Sequence, residues 1–325
     1  MRRGNIKEAE TYFKKALERL TERNPNPYNS EVYYNLGLAF MYQGENKKSY
    51  DVFYKATWTS EQQEMSFYYL AAIATKNDDF NVALEHIEKS LIKNTHNIKA
   101  RGLKAYILRK TGRQTEATCF IKESLKVDAF DYLSKFELAL SNDGEKTELV
   151  ELQKLMRNFA ENSLMIARDY IEIGGFEEAI IVLKNCSEKK PMLKYYEGYC
   201  YGLINELDKA KEAIVLAEQY SSDYCFPNKL EDIMALKYAI STNPTGAKAY
   251  YYLGNLFYDK LQWEKATLLW EKSVDLDNSF PTVFRNLSLS YFNKFGKTQK
   301  AKEMLEKAFS LNKKDARIFL ELDQL

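Results

Sequence analysis

Apolar positions along this chain recur three and four residues apart in short runs, and the runs come in pairs separated by turn residues. In the run that opens near Tyr33, the residues Tyr33, Leu36, Gly37 and Phe40 fall on one helical face. The stretch from Tyr250 writes the same face again as Tyr250, Leu253, Gly254 and Phe257. Twelve residues past each glycine stands a small residue, Ser49 or Ala266, followed by Phe53 or Trp270 and then by Ala56 or Ser273. This spacing predicts a second helix with a matching face. The same ruler leads from Ala71 to Ala83, Ile87 and Ser90, and from Ala105 to Ala117, Ile121 and Ser124. It fits again at Ala167 with Ala179, at Gly198 with Ala210, and at Ser288 with Ala301 after one extra turn residue.

Ser49, Ala83 and Ala117 lie 34 residues apart. Small residues at a fixed period have a steric meaning: paired helices approach closely only where neither projects a large side chain, and bulky neighbours then fill the grooves. Gln43-Gly44, Asn77-Asp78-Asp79, Thr111-Gly112 and Gly174-Gly175 supply the turns, where glycine accepts the left-handed backbone that ends a helix.

The order W-x2-L-G-x2-Y, A-x3-F, A and P, with Tyr or Phe standing for the Trp, resembles the tetratricopeptide repeat. Pro191 and Pro244 sit where that repeat ends its second helix. The resemblance implies an all-α protein, a right-handed α-solenoid whose helical hairpins bury their faces only by stacking on neighbours. We expect one solenoid over 1–325. It comprises a lone second helix over 1–22, three regular repeats over 31–128, a degenerate helix pair over 130–160 and two repeats over 162–220. An irregular loop with a single helix follows over 221–244, then two repeats over 246–312 and a lone first helix over 315–325. The steps from Ala117 to Ala179 and from Ala210 to Ala266, 62 and 56 residues, mark the irregular places. Of these, the loop around Tyr224-Cys225-Phe226-Pro227 is the better candidate for contacts, because exposed loops on a rigid scaffold carry function.

The lone terminal helices suggest a piece of something longer. RNPNPYNSEVYYNLGLAF, YDVFYKATW, DYCFPNKLEDI and YYLGNLFYDK, with the flanking repeats, resemble the C-terminal repeat region of large, uncharacterised bacterial proteins. In that family a β-rich domain related to carbohydrate-active enzymes precedes the repeats. The resemblance implies either a scaffold for that domain or an accessory region that orients it or contacts glycan.

Composition narrows the function classes. The 47 Lys and Arg against 46 Asp and Glu leave a formal net charge of +1, so no global field attracts nucleic acid or an anionic membrane. No secretory leader is evident and no apolar run is long enough to span a bilayer, so a cytoplasmic protein is expected. The four cysteines lack a C-x-x-C pair and are expected to be small, reduced core residues. Neither histidine has a ligand-spaced partner, and no phosphate loop, dinucleotide fingerprint or nucleophile elbow occurs. Pairs such as Glu177-Glu178 and Glu231-Asp232 are expected at helix starts or on charged faces. No catalytic site and no cofactor is expected.

In tetratricopeptide solenoids the first helices line the concave face. One helical step from the core positions places Tyr34, Leu38 and Tyr42 there, then Tyr68, Tyr106, Arg109, Arg168, Tyr195 and Tyr199, and finally Tyr251, Asn255, Tyr258 and Arg285. Tyrosine and arginine suit recognition because they join contact area to a polar tip. The expected partner is a protein or peptide segment, or an upstream domain of the parent chain. The truncated ends allow a monomer or weak self-association. Asn255, Asn286 and Arg317 fall near the positions of a clamp for peptide carboxyl termini. Tyr251 replaces its lysine and Glu321 stands where an arginine would help, so that clamp is not expected.

Overall fold

The computed structural model describes residues 1–141 and 146–324, and among them it contains nineteen helices and no strand. None of these helices is long and apolar enough to cross a membrane. The helices group into two compact units: Met1 with Asn5–Glu188, and the residues from Lys189 onward with Arg2–Gly4.

In the first unit α1 (Ile6–Thr21) stands alone. It is followed by the pairs α2 (Glu31–Met41) with α3 (Asn46–Ala56), α4 (Ser60–Lys76) with α5 (Phe80–Lys93), and α6 (Ile98–Lys110) with α7 (Gln114–Val127). Then come α8 (Tyr132–Ser141) with α9 (Lys146–Leu155) and α10 (Ala160–Ile173) with α11 (Phe176–Asn185). The turn expected inside the degenerate pair, at 142–145, lies outside the described residues, as does residue 325 of the last expected helix. The second unit pairs α12 (Pro191–Leu203) with α13 (Leu207–Gln219), inserts the single α14 (Asp232–Thr242), and continues with α15 (Ala247–Asp259) and α16 (Trp263–Leu276). It closes with α17 (Pro281–Phe295), α18 (Thr298–Leu311) and α19 (Ala316–Gln324). Each unit is thus an α-solenoid in which successive helices pack on one another, except that α9 packs chiefly on α8 and α11.

The small residues act as the spacing requires. A Cβ on Gly37 would stand 2.7 Å from the ring of Phe53, and one on Gly254 2.5 Å from that of Trp270. At Gly198 the obstacles are Ile214 at 2.7 Å and the carbonyl of Ala210 at 2.9 Å. The serines of the second helices add polar clips: Ser90 Oγ donates to the carbonyl of Glu64 and Ser273 Oγ to that of Ala247, at 2.8 and 2.9 Å. Each ties the end of a second helix to the start of its partner, satisfying a buried hydroxyl without side-chain bulk.

The turns repeat one backbone device. Gly44, Asp78, Gly112, Gly174, Asn205, Leu261 and Gly296 all adopt positive φ between the helices of a pair. Leu261, at φ 62, is the costly member of this set, because a side chain in the left-handed region crowds its own carbonyl. Replacing Leu261 with Gly is expected to raise stability by about 0.5–1 kcal/mol, whereas Gly37→Ala and Gly254→Ala lower it by about 1–3 kcal/mol through overpacking. Urea denaturation of the three variants checks this, and a neutral Gly254→Ala would refute the close-approach role.

Candidate functional site

The first unit fills its own inner face. Gly174, with φ +87, lets α10 approach α4 so closely that a Cβ there would lie 3.2 Å from the Cα of Lys76. Lys99 of α6 bridges to Asp169 of α10 at 2.6 Å. Beside it Arg109 donates to Glu137 at 2.7 Å and to Glu178 at 2.9 Å, while Tyr170 Oη donates to Glu137 at 2.6 Å. The Glu137 side chain is 0% exposed. Burial pushes its carboxyl up, against the opposing hydrogen bond and charge of Arg109. Burial works against the Arg109 charge as well, yet its bonds to Glu137 and Glu178 raise its pKa. Tyr106 is buried against Tyr170 with ring centroids 6.0 Å apart. Tyr68 is buried, Tyr34 packs on Phe53 and Tyr69, and Arg168 is half-buried. Of the residues expected to face a partner, those of the first unit therefore serve mainly as internal packing.

In the second unit the irregular segment decides what stays open. α14 lies over α12, where Gly202 makes room for the ring of Tyr238, and Tyr199 packs on that ring at 5.7 Å. Tyr195 is buried and donates to Glu218 at 2.6 Å. Glu218 also accepts from the backbone N–H of Lys248 at 2.9 Å, placing an anion at the N-terminus of α15. At the start of α14, Asp232 accepts from the N–H groups of Asn228 and Lys229 at 3.0 Å each and from Tyr196 Oη at 2.7 Å. The chain before α14 is thereby pinned, and its residues alternate in and out. Cys225 and Pro227 are buried while Tyr224 is 85% and Phe226 70% exposed. Tyr224 holds φ 54, a left-handed conformation that a bulky residue adopts at a cost of about 1–2 kcal/mol.

Tyr224 and Phe226 stand at the edge of a groove of about 770 Å³ whose lining includes Tyr251, Asn255, Tyr258 and Arg285. Four of the sequence-nominated residues thus come together with the nominated loop, while Tyr195 and Tyr199 lie elsewhere. Tyr258 packs on Trp270, ring centroids 5.3 Å apart, and Tyr251 meets Phe280 edge-on at 4.8 Å. Asn255 Oδ1 accepts from Trp270 Nε1 at 3.1 Å and from Asn286 Nδ2 at 3.0 Å, joining α15, α16 and α17. Burial raises the Tyr251 phenol pKa, partly offset by its hydrogen bond with Asn255. Arg285 makes a two-pronged pair with Glu321, and Arg317 another with Asp315 at 3.0 and 3.1 Å. The hydrogen bond from Arg317 holds the Asp315 carboxyl below its ordinary range. Among the described residues no cluster of His, Cys, Asp and Glu fits a metal ion.

With this geometry in view, comparison with known proteins places the last complete hairpin. Residues 286–315 match the family model of the tetratricopeptide repeat. A tetratricopeptide repeat protein from Parabacteroides merdae is similar at 19% identity, over 73% of this chain and 93% of its own, with a TM-score of 0.44. MamA is similar at 22% identity over 56% of this chain and 96% of its own, with a TM-score of 0.28. YrrB, described as a TPR protein with an unusual peptide-binding site, is similar at 15% identity over 74% and 100%, with a TM-score of 0.28.

One expectation needs correction. Cys119 is exposed on α7, because the inward face of that helix is already taken by Ala117, Ile121 and Ser124; Cys200 and Cys225 are buried. Glu178 and Asp232 stand in the first turns of α11 and α14, where helix starts were expected, and both are buried, Glu178 paired with Arg109 and Asp232 hydrogen-bonded to Tyr196. Glu137 and Glu218 escaped sequence reasoning altogether, and Glu321 was singled out without its pairing to Arg285. A carboxylate beside core positions, as Glu137 is beside Phe136, was the available signal.

Arg109→Ala leaves Glu137 buried without its cation and is expected to cost about 3–5 kcal/mol in thermal or urea unfolding. Because the folded-state pKa of Glu137 is raised, its protonated form suits the fold, and the penalty of burying its charge grows as pH rises above the ordinary carboxylate range. The deficit of the variant should therefore shrink as pH falls toward that range; a pH-independent deficit would contradict an ionic role for Arg109.

Proposed function

We propose that this protein is a non-catalytic interaction scaffold whose second unit holds an extended protein segment, from a separate partner or from an adjacent domain of its parent chain. The observation that carries this is the convergence of Tyr251, Asn255, Tyr258 and Arg285 with the outward rings of Tyr224 and Phe226 on one groove. Rings with polar tips beside amides provide contact area together with hydrogen bonding to a main chain. The strain at Tyr224 and the buried anchors Cys225 and Pro227 support a loop built to present its side chains. Glycan contact is the second reading, favoured by the same two exposed rings, which offer flat faces for stacking.

A photo-reactive phenylalanine analogue at position 226 tests the proposal in cells that express the full chain. The expected result is cross-linking to one contiguous polypeptide segment, absent when the analogue is placed at the exposed position 119. Tyr258→Ala should weaken binding of that segment by about tenfold, the loss of one ring contact of hot-spot size. No polypeptide adduct from position 226, or the same adducts from both positions, sinks it.

A further inference from the structure

The charges lining the groove of the second unit already have partners within the chain, ionic ones for Arg285, Arg317, Asp315 and Asp259 and a hydroxyl for Asp223. Both arginines on its wall, Arg285 and Arg317, point two N–H groups at a carboxylate of their own chain. Asp259 is held by Lys260 at 2.8 Å, and Asp223 accepts from Ser221 Oγ at 2.8 Å while Lys190 Nζ donates to its backbone carbonyl at 3.0 Å. An incoming carboxylate must displace Glu321 or Asp315 from a two-pronged pair, exchanging one charge-assisted geometry for another with no gain. An incoming cation meets carboxylates that already have partners. What remains for a ligand is uncharged: the outward rings of Tyr224 and Phe226, the edge of Tyr258, and the Asn286 carbonyl oxygen, which has no hydrogen-bond donor among the described residues.

From this we infer that the groove selects an uncharged internal stretch of extended chain carrying proline or an aromatic ring, and not a charged motif or a chain's carboxyl terminus. This deepens the proposed protein-binding role and rests on it. Alternation along the loop gives the selection a physical basis. Tyr224 and Phe226, two residues apart and both exposed, offer faces on which a flat ring or a pyrrolidine packs, whereas a flexible charged side chain would lose part of its hydration there. Proline adds a preformed extended backbone, so less conformational freedom is lost on docking. Glu321 serves as a guard: by occupying Arg285 it denies the groove the one partly buried cation that would otherwise attract a carboxylate.

The test is an affinity selection on the full chain with blocked nonapeptide pools: uncharged with proline and aromatic residues, acidic, basic, and the uncharged pool with its carboxyl end free. The uncharged ring-bearing pool should be retained about tenfold better than either charged pool, and freeing the carboxyl end should add nothing. Binding of recovered peptides should change by less than about twofold between about 50 and about 500 mM salt, because no net charge is matched. Tyr224→Ser with Phe226→Ser, on exposed positions that leave the fold intact, should lower affinity about tenfold. Glu321→Gln frees Arg285 and should create a preference of at least about fivefold for the free carboxyl end. Preference of the unaltered chain for acidic, basic or carboxyl-ended peptides overturns the inference while leaving a peptide-binding groove. Retention of no pool, with or without glycan binding in its place, overturns the proposed function itself and this inference with it.

Discussion

Everything in this protein depends on the close approach of two helices at a small residue. Gly37 beneath Phe53, Gly198 beneath Ile214 and Gly254 beneath Trp270 are the same contact in different hairpins. Without a Cβ the first helix can bring its backbone against a large side chain of the second, and the hairpin buries a continuous apolar seam. A hairpin so formed still has an unburied face, and the next hairpin covers it. The period in the sequence is the record of that requirement. Positive φ at one residue of each described turn within a pair, glycine in most and Asp78, Asn205 or Leu261 elsewhere, keeps the two helices of a pair in register.

Identical packing rules lead to different inner faces in the two units. In the first, Gly174 permits contact between α4 and α10, and the carboxylates of α8, α10 and α11 meet the cations of α6. The Arg109, Glu137 and Glu178 cluster is satisfied internally, so its charges specify how this unit closes instead of recruiting a ligand. In the second, the single helix α14 packs Tyr238 on Tyr199 while Tyr195 is enclosed by Glu218 and Tyr252, and the segment before α14 is fixed by Asp232 and Cys225 with its rings turned outward. The open surface lies where the repeat is broken.

The helices and their pairing were legible in the sequence because they rest on local spacing: Leu36-Gly37 and Leu253-Gly254, Ser49, Ala83 and Ala117, and the turn glycines each state their role within one hairpin. The loop at Tyr224 to Pro227 was legible as an irregularity, and the outward direction of its rings was not. Which tyrosines reach solvent was less legible still. Tyr68, Tyr195 and Tyr251 each stand three residues before the small residue of a first helix, yet Tyr195 is enclosed by Glu218 and Tyr252 and Tyr251 borders a groove.

The sequence by itself determined that this chain is an all-α stack of helical hairpins, since periodicity and small-residue spacing are properties of neighbours along the chain. Only the tertiary structure decided which inner surface is closed and which is open, and that the arginines of the groove are already paired. Partners such as Arg109 with Glu178 and Arg285 with Glu321 lie 69 and 36 residues apart, and nothing in local spacing distinguishes a carboxylate that faces water from one that meets a cation after the stack has formed.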